Sequence, residues 1–234
     1  MLLHFLILAV GHQSEEGSNI MAKLNTAKCK LVRKFGENIF GIPKYDKLLN
    51  RKPYTPGQQG QSRRGKLSNY GVQLQEKQKI KAMFGVLEKQ FRNYFHKAEK
   101  KDGETCTNLL QLLECRLDNV VYRLGFASTR SQSRQLVSHS HFLLNNRKCN
   151  IPSASIKPGD VIQVRDKSKK LDVILDSIKN VKGDISYSWL ELDKAKMKGS
   201  FIAVPDREEM LLTVNAVSYT HLRAHETLRY LVCR

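Results

Sequence analysis

The side chains with the clearest chemical potential in this sequence are arginines and lysines spaced to meet phosphate groups. Arg130 and Arg134 lie four residues apart, so on a helix they share one face. Arg147 and Lys148 are adjacent cations directly after two asparagines. Folded RNA is recognised largely through its shape, its phosphates and its 2′-hydroxyls, which calls for cations on a rigid, curved surface. These four residues are therefore our first candidates for contact with RNA.

A short helix and a hairpin are the elements predicted to hold these cations. Thr129-Arg130-Ser131-Gln132 matches the capping box, in which the threonine accepts from a backbone N–H and the glutamine reaches back, so a helix is predicted to begin there. Residues 142–144 predict a strand, and Asn145-Asn146 predicts a tight turn, because asparagine tolerates the left-handed conformation. Lys157-Pro158-Gly159-Asp160 predicts another turn before a strand at residues 161–165. Two short helices and a small sheet would then present the cations on one surface.

Three further helices are predicted upstream. Ser68 is a suitable N-cap for the first, which would end near Phe84 with Gly85 as its C-terminal stop. Its imperfect apolar face is formed by Val72, Leu74, Ile80 and Met83. The lysines expected to point away from that face are Lys77, Lys79 and Lys81. Apolar residues spaced three and four apart predict a second helix over residues 87–98 and a leucine-rich third helix from about residue 107 to 117.

The charge balance of the chain indicates a polyanionic partner. The 234 residues include 40 lysines and arginines against 22 acidic residues, a formal net charge of +18. Solubility needs a net charge of only about 2–8 in a small domain, so solvation alone is a poor explanation for this surplus. Closely spaced phosphates gain the most from neutralisation. No apolar run reaches the ~18 residues of a membrane span, so we expect no membrane association.

Motifs of catalysis and of metal binding are missing from the sequence. There is no Walker loop, no nucleophile elbow and no paired metal-ligand motif, so we predict neither an enzyme nor a metal or cofactor. The five cysteines are scattered without C-x-x-C spacing, which is typical of free thiols in a reducing compartment. His139 and His141 lie in a basic setting, and we interpret them as candidate hydrogen-bond partners of RNA.

Both ends of the chain are predicted to lie outside the fold. Residues 1–20 begin with an apolar run that lacks the basic start and the cleavage site of a signal peptide. We predict that they are a non-native leader and that Met21 is the true start. Residues 217–234 have no periodicity related to what precedes them and are similar to translated sequencing-adapter sequence, so we predict an artefactual tail. The two ends carry three basic and three acidic residues, so the net charge without them is still +18.

Several ordered motifs together resemble one protein family. The stretches RLDNVVYRLGF (116–126), RQLVSH (134–139) and KPGD (157–160) resemble the RNA-binding module of bacterial small-subunit ribosomal protein four. The stretches YTPGQQG (54–60), QEKQK (75–79) and EKQFRN (88–93) look like that family's N-terminal domain. KGSF (198–201) and PDRE (205–208) are similar to its C-terminal part. The resemblance runs from about residue 21 to residue 216 in the family's order.

This resemblance implies a structural role in the cytoplasmic ribosome. It implies a primary rRNA-binding protein that nucleates assembly of the 30S body on the 5′ domain of 16S rRNA and contributes to translational accuracy. Ribosomal protein five of the small subunit is the implied protein partner, and the segment with Arg63, Arg64 and Lys66 is implied to lie near the channel through which mRNA enters. Some members carry four zinc-binding cysteines; here only Cys29 remains, with Val32 at a second position, so no zinc is expected.

The implied fold class is α+β: a mainly helical N-terminal domain into which a compact RNA-binding module of two short helices and a small twisted antiparallel sheet is inserted. The predicted divisions are a basic, turn-rich extension (21–68), a helical domain (69–115), the RNA-binding module (116–178) and a C-terminal part packing on the helical domain (179–216). Ser140 and Asn146 replace glycines that are usual in the family, which bears on the local turn geometry.

The candidate RNA-binding residues combine the cations chosen above with those that the resemblance adds. They are Arg63, Arg64, Lys66, Lys77, Lys79, Arg92, Arg116, Arg123, Arg130, Arg134, Gln135, His139, His141, Arg147 and Lys148. Two alternatives stay open. Related modules occur attached to pseudouridine synthases and tyrosyl-tRNA synthetases, although no segment of catalytic size remains here. The module could also serve an RNA- or DNA-binding regulator, such as a translational repressor, since two short helices with an arginine face can mimic helix-turn-helix.

Overall fold

The structure, a computed structural model, describes residues 26–62, 65–180 and 187–210. Within these ranges the fold is α+β, as the sequence predicted. The N-terminal helices are α1 (Lys28–Phe35), α2 (Pro43–Arg51), α3 (Asn69–Phe84), α4 (Glu88–Glu99) and α5 (Thr105–Glu114). The elements that follow are α6 (Leu117–Arg123), α7 (Arg130–Ser138), β1 (Phe142–Leu144), β2 (Arg147–Lys148), β3 (Val161–Val164), a 3₁₀ turn (Asp166–Ser168), α8 (Asp172–Asn180), β4 (Leu190–Asp193) and β5 (Lys198–Phe201). The predicted leader and tail lie outside the described residues.

The ends of α3 are set by local chemistry and confirm the sequence prediction. The Ser68 hydroxyl oxygen accepts from the backbone N–H of Gly71 at 3.2 Å, which satisfies one of the free N–H groups at the helix start. Gly85 adopts the left-handed conformation (φ 63°) and ends the helix. The predicted third helix is shorter than expected: α5 ends at Glu114, and Leu117 belongs to α6, whose N-cap is Arg116.

The lysines of α3 do not point away into solvent as predicted. Lys77 and Lys79 are buried, only 6% and 3% exposed, whereas Val72 of the predicted apolar face is 46% exposed. The reason is that carboxylates from neighbouring elements cover this side of the helix. Lys77 pairs with Glu88 at 2.6 Å, and Lys79 pairs with Glu37. Burial of an ammonium group is tolerated when such a partner accompanies it.

Two hydrophobic cores organise the described residues. The first lies among α1 and α3 to α5 and buries Ile80, Phe91, Phe95 and Leu109. Met210, far along the chain, also belongs to this core. The second lies between the sheet and the helices α6 to α8, and its largest fully buried side chains are Leu117, Phe126, Phe142, Ile162, Trp189 and Phe201. The helical domain and the module therefore each have a core of their own.

The sheet is fully antiparallel, with strand order β2-β1-β3-β5-β4. Gly199 of β5 faces Ile162 of β3, and a Cβ at this glycine would come within 2.6 Å of the Leu124 side chain. The absence of a side chain at Gly199 therefore lets β5 approach α6 closely.

The C-terminal part divides between the two cores. The sequence predicted that residues 179–216 pack on the helical domain. In the structure β4 and β5 instead extend the sheet of the module. Among the described residues of this part, the segment after the sheet returns to the helical domain, where the Gln111 amide donates to the Pro205 carbonyl at 3.2 Å and Arg207 approaches Glu104. The predicted boundary after residue 178 therefore cuts through the module. Short motifs in this region do not reveal which core a strand joins.

The hairpin turn between β1 and β2 confirms its prediction. Asn145 and Asn146 both have positive φ, 50° and 64°, as the favoured two-residue turn requires. The Asn145 side chain accepts from the Val161 N–H at 2.9 Å and donates to Asp160 at 2.8 Å. Asp160 in turn accepts from the N–H of Lys157, which closes the second predicted turn. The two turns are therefore bonded to each other, and this fixes the position of the exposed strand β2.

Candidate nucleic-acid interface

Arg130, in the first turn of α7, is held by one hydrogen bond and two aromatic rings. The Thr129 hydroxyl caps this helix by accepting from the Gln132 N–H, as predicted, although the Gln132 side chain reaches back to Ser128 and not to Thr129. The Arg130 Nε donates to Asn119 at 2.8 Å, and its guanidinium lies 5.1 Å from the Phe84 ring centroid and 4.6 Å from that of Tyr122. Stacking of this kind leaves the edge of the guanidinium available to a ligand.

The orientation of Arg130 traces back to a buried carboxylate on α5. Glu114 is fully buried and accepts from the Asn119 amide, which leaves the Asn119 oxygen turned toward Arg130. The same carboxylate accepts two hydrogen bonds from Arg123, at 2.6 and 3.1 Å. Burial alone would lower the pKa of Arg123, but the Glu114 charge outweighs it, so the pKa of this guanidinium is raised. Arg123 is therefore part of an internal ion pair.

Arg116 is likewise buried and paired with a carboxylate. It is 2% exposed, and its guanidinium makes a bidentate pair with Asp118, with distances of 3.0 and 2.6 Å. A third hydrogen bond runs to the Tyr94 hydroxyl at 2.8 Å on α4, so this residue joins α4 to α6. Burial opposes its charge, yet Asp118 raises the pKa of Arg116 above its usual range. The prediction that Arg116 and Arg123 face RNA overlooked these carboxylate partners.

Arg134 and Arg130 differ from these two arginines in what surrounds them. Among the described residues neither has a carboxylate oxygen within ion-pair distance, and the only side-chain hydrogen bond of Arg134 is a long one, 3.4 Å, to the Gly85 carbonyl. Burial lowers the pKa of both side chains, with Arg123 adding to the effect at Arg130. The charges of Glu114 and Asp118 offset part of this effect at Arg130 and Arg134, respectively. Arginine stays protonated, so these are two partly buried positive charges without a direct ion pair among the described residues.

The two arginines line a groove of about 540 Å³ between α7 and the helical domain. The lining is of mixed polarity, and its apolar and aromatic part, which we call the floor, includes Phe40, Met83 and Tyr122. Its α7 wall is polar and includes Gln135 and His139, both of which are exposed. Two of the sequence-predicted residues thus meet Arg130 and Arg134 at one site.

The remaining predicted residues lie in three different settings. Arg147 and Lys148 lie on β2 and are exposed. Lys66, before α3, and Arg92, on α4, are exposed as well. Lys77 and Lys79 are buried with glutamates and are not carried into the interface. Arg63 and Arg64 lie outside the described residues.

His141 has a structural partner in the module. Its Nδ1 lies 2.9 Å from the Ser168 hydroxyl, and its ring is 6.2 Å from that of His139. Burial lowers the pKa of His141, and the charges of His139 and Arg165 lower it further. The environment of His141 therefore favours the neutral imidazole, which is hydrogen-bonded within the module, and His139 is the more exposed of the two.

Sequence reasoning missed the residues that orient the cations. Glu114 and Asn119 lie in a leucine-rich helix and in the RLDN stretch, and neither type nor spacing marks them as a network. The groove residues Phe84 and Tyr122, which contact Arg130, were not among the predicted site residues either.

The structure offers no competing chemistry within the part of the chain that it describes. No group of three or more histidine, cysteine or acidic side chains is arranged to hold a metal ion. Cys29, Cys115 and Cys149 are free thiols. Among the described helices, none is both long and apolar enough to cross a membrane.

Comparison with known proteins covers most of the chain. Residues 23–114 match the family described as the ribosomal protein S4/S9 N-terminal domain, and residues 115–162 match the S4 domain. The chain is 50% identical to the small ribosomal subunit protein uS4 of Chlorobaculum tepidum over 188 residues, which is 80% of this chain and 92% of that protein. It is 52% identical to the uS4 protein of Parabacteroides distasonis (81% and 92% covered) and 50% identical to that of Hahella chejuensis (83% and 95% covered).

Proposed function

The chain belongs to the small ribosomal subunit protein uS4 family, and we propose that it is a primary binder of the 5′ domain of 16S rRNA that nucleates assembly of the subunit body. As a member of this family it is a structural ribosomal protein with an RNA-binding module and not an enzyme. The observation that carries the proposal is a contrast between two pairs of arginines. Arg116 and Arg123 form ion pairs with buried carboxylates, whereas Arg130 and Arg134 on α7 form no ion pair among the described residues.

The proposed binding surface combines the α7 groove with the exposed hairpin. Arg130 and Arg134 supply two cations at fixed positions, because each sits on a helix whose start is capped by Thr129. Arg147 and Lys148 add two more on β2, which the linked turns hold in place. Phosphate contacts of this kind set the register of a protein on folded RNA, and backbone shape supplies the selectivity.

A contribution to translational accuracy and contact with ribosomal protein five of the small subunit are further parts of the proposal. Family membership supports both. The segment that includes Arg63, Arg64 and Lys66 is proposed to lie near the channel through which mRNA enters, because its dense positive charge suits a single-stranded polyanion. Lys66 is exposed immediately before α3.

The test is chemical footprinting of small-subunit rRNA with the full chain, together with affinity measurements over a series of salt concentrations. We expect protection confined to the 5′ domain. We also expect the logarithm of the binding constant to fall linearly with the logarithm of the salt concentration. Random-sequence RNA of equal length is the control and should bind more weakly. Equal affinity for both RNAs would contradict the proposal, and a preference for duplex DNA would instead favour a DNA-binding regulator.

A further inference from the structure

The groove beside α7 combines three properties that together specify a ligand. It has more cations than carboxylates in its lining, a floor that includes aromatic rings, and a volume of about 540 Å³. Pockets that take small molecules have volumes of roughly 300–1,000 Å³. A solvated cation alone needs no such floor, and an apolar ligand alone needs no arginines.

The cationic side of the groove calls for an anion. The hydrogen bond to Asn119 and the contacts with the Phe84 and Tyr122 rings hold the Arg130 guanidinium in place. Arg134 lies one helical turn further along the same face. The groove lining contains one acidic residue, Asp118, which is already paired with Arg116, against the three cations Lys28, Arg130 and Arg134. The charge in the groove therefore remains positive.

The apolar side of the groove calls for a flat ring. Phe40 and Tyr122 both line it, and both remain only partly buried. Lys28 lies over the Phe40 ring at 5.5 Å from its centroid, which adds a cation at the rim. Unpaired RNA bases stack on partly exposed aromatic side chains such as these, and the phosphates of the same nucleotides bind nearby arginines.

We propose that this groove takes one unpaired, splayed-out nucleotide of the bound RNA, with its phosphate at Arg130 and Arg134 and its base on the floor by Phe40 and Tyr122. This inference rests on the proposed RNA-binding function and refines it. The groove then recognises an extruded nucleotide and not the surface of a regular duplex. The relevant selectivity is then for an RNA that has an unpaired base at the right distance from its other phosphate contacts.

The first test fills the groove without removing a charge. Ser131 lies exposed on α7 and lines the groove, so Ser131→Trp narrows it without disturbing either core. Ser153 is also exposed on the module but does not line the groove, so Ser153→Trp is the matched control. Affinities are measured for small-subunit rRNA and for random RNA at several salt concentrations. We expect Ser131→Trp to bind the rRNA at least ~10-fold more weakly than Ser153→Trp does, with a shallower salt dependence because the phosphate contacts in the groove are lost. Random RNA should bind to both variants alike.

The second test locates the base directly. The full chain is bound to small-subunit rRNA that carries either 4-thiouridine or native bases, and the complex is cross-linked by irradiation. The complex is then digested, and its peptides are analysed by mass spectrometry. A nucleotide adduct on the peptide with Phe40 or Tyr122, lost in Ser131→Trp, supports the inference. Adducts confined to other peptides overturn it, as does Ser131→Trp binding rRNA as tightly as Ser153→Trp. Failure of the wild-type protein to prefer rRNA at all would instead overturn the proposed function.

Discussion

Arg123 and Glu114 form a buried ion pair that no short motif in the sequence reveals. Two guanidinium nitrogens of Arg123 donate to the two carboxylate oxygens of Glu114, which is inaccessible to solvent. Arg123 also donates to the Tyr187 hydroxyl at 2.8 Å and approaches the Met210 carbonyl. The pair therefore links α5 of the helical domain, α6 of the module and the chain that returns from the sheet.

Removal of this carboxylate should destabilise the protein strongly. In Glu114→Gln the Arg123 charge stays buried without a counter-ion, so we expect the free energy of unfolding to fall by about 3–5 kcal/mol. Urea denaturation measures the change. Glu208→Gln, at an exposed carboxylate, is the control and should differ from wild type by less than about 0.5 kcal/mol.

The double variant Glu114→Gln with Arg123→Met separates the buried charge from the packing. With both charges gone, much of the lost stability should return, because no uncompensated ion remains inside. A double variant as unstable as the sum of both single changes would argue that the pair contributes through packing alone.

The α7 face and the hairpin should act together in RNA binding. Loss of both cations in Arg134→Ala with Arg147→Ala should weaken rRNA binding by roughly 1–3 kcal/mol and make the salt dependence shallower, since fewer phosphates are neutralised. Filter binding across potassium chloride concentrations measures both quantities. Arg51→Ala, an exposed arginine on α2, is the control. Normal binding and subunit assembly by the double variant would show that this surface is not the site.

Glu88 should make stability depend on acid. Although its partial burial works the other way, hydrogen bonds and charges from Lys77 and Lys81 hold the pKa of Glu88 below its ordinary value of 4.5. A carboxyl whose folded pKa is lowered contributes stability above its unfolded pKa, and this is lost as the pH falls through the folded value. Glu88→Gln should therefore be less stable than wild type at pH 7, and the difference should shrink below about pH 4.5.

Urea unfolding at a series of pH values from 7 to 3 checks this expectation. Glu99→Gln, on the exposed side of the same helix, should show a much weaker trend. A constant difference between Glu88→Gln and wild type at every pH would assign the effect to packing and not to the charge.

Ser140 occupies a position where glycine should be better. Its φ is 59°, a left-handed conformation that costs a residue with a Cβ about 1–2 kcal/mol, and the extra freedom of glycine in the unfolded chain offsets part of the gain. We expect Ser140→Gly to raise the free energy of unfolding by about 0.5–1 kcal/mol. Thermal unfolding measures it, and Ser153→Gly, where φ is not positive, should lower stability slightly. A loss of stability in Ser140→Gly would mean that the serine side chain has a stabilising contact.

Features that depend on neighbours in sequence were predictable. The Ser68 cap, the Gly85 stop, the Thr129 cap and the Asn145-Asn146 turn each rest on a side chain and backbone groups a few residues apart. The reach of such contacts is short, so residue type and spacing suffice. The α+β class and the ribosomal family followed from ordered motifs along the chain, which the comparisons confirm.

Features that depend on distant partners were not predictable. Lys77 and Lys79 were expected to face solvent, but Glu88 and Glu37 come from other elements and bury them. The C-terminal strands β4 and β5 were expected on the helical domain, but hydrogen bonding to β3 puts them in the sheet of the module. The periodicity of one segment does not indicate which distant elements of the chain pack against that segment.

The sequence by itself determined that this protein is basic, that it folds as helices followed by a small module, and which family it belongs to. Those properties are sums over residues or short-range patterns. Only the tertiary structure decided which arginines are committed inside and which remain for a ligand, because a charge is neutralised by whatever lies within a few ångströms of it in space. Arg116 and Arg123 have carboxylates there, whereas Arg130 and Arg134 face a groove.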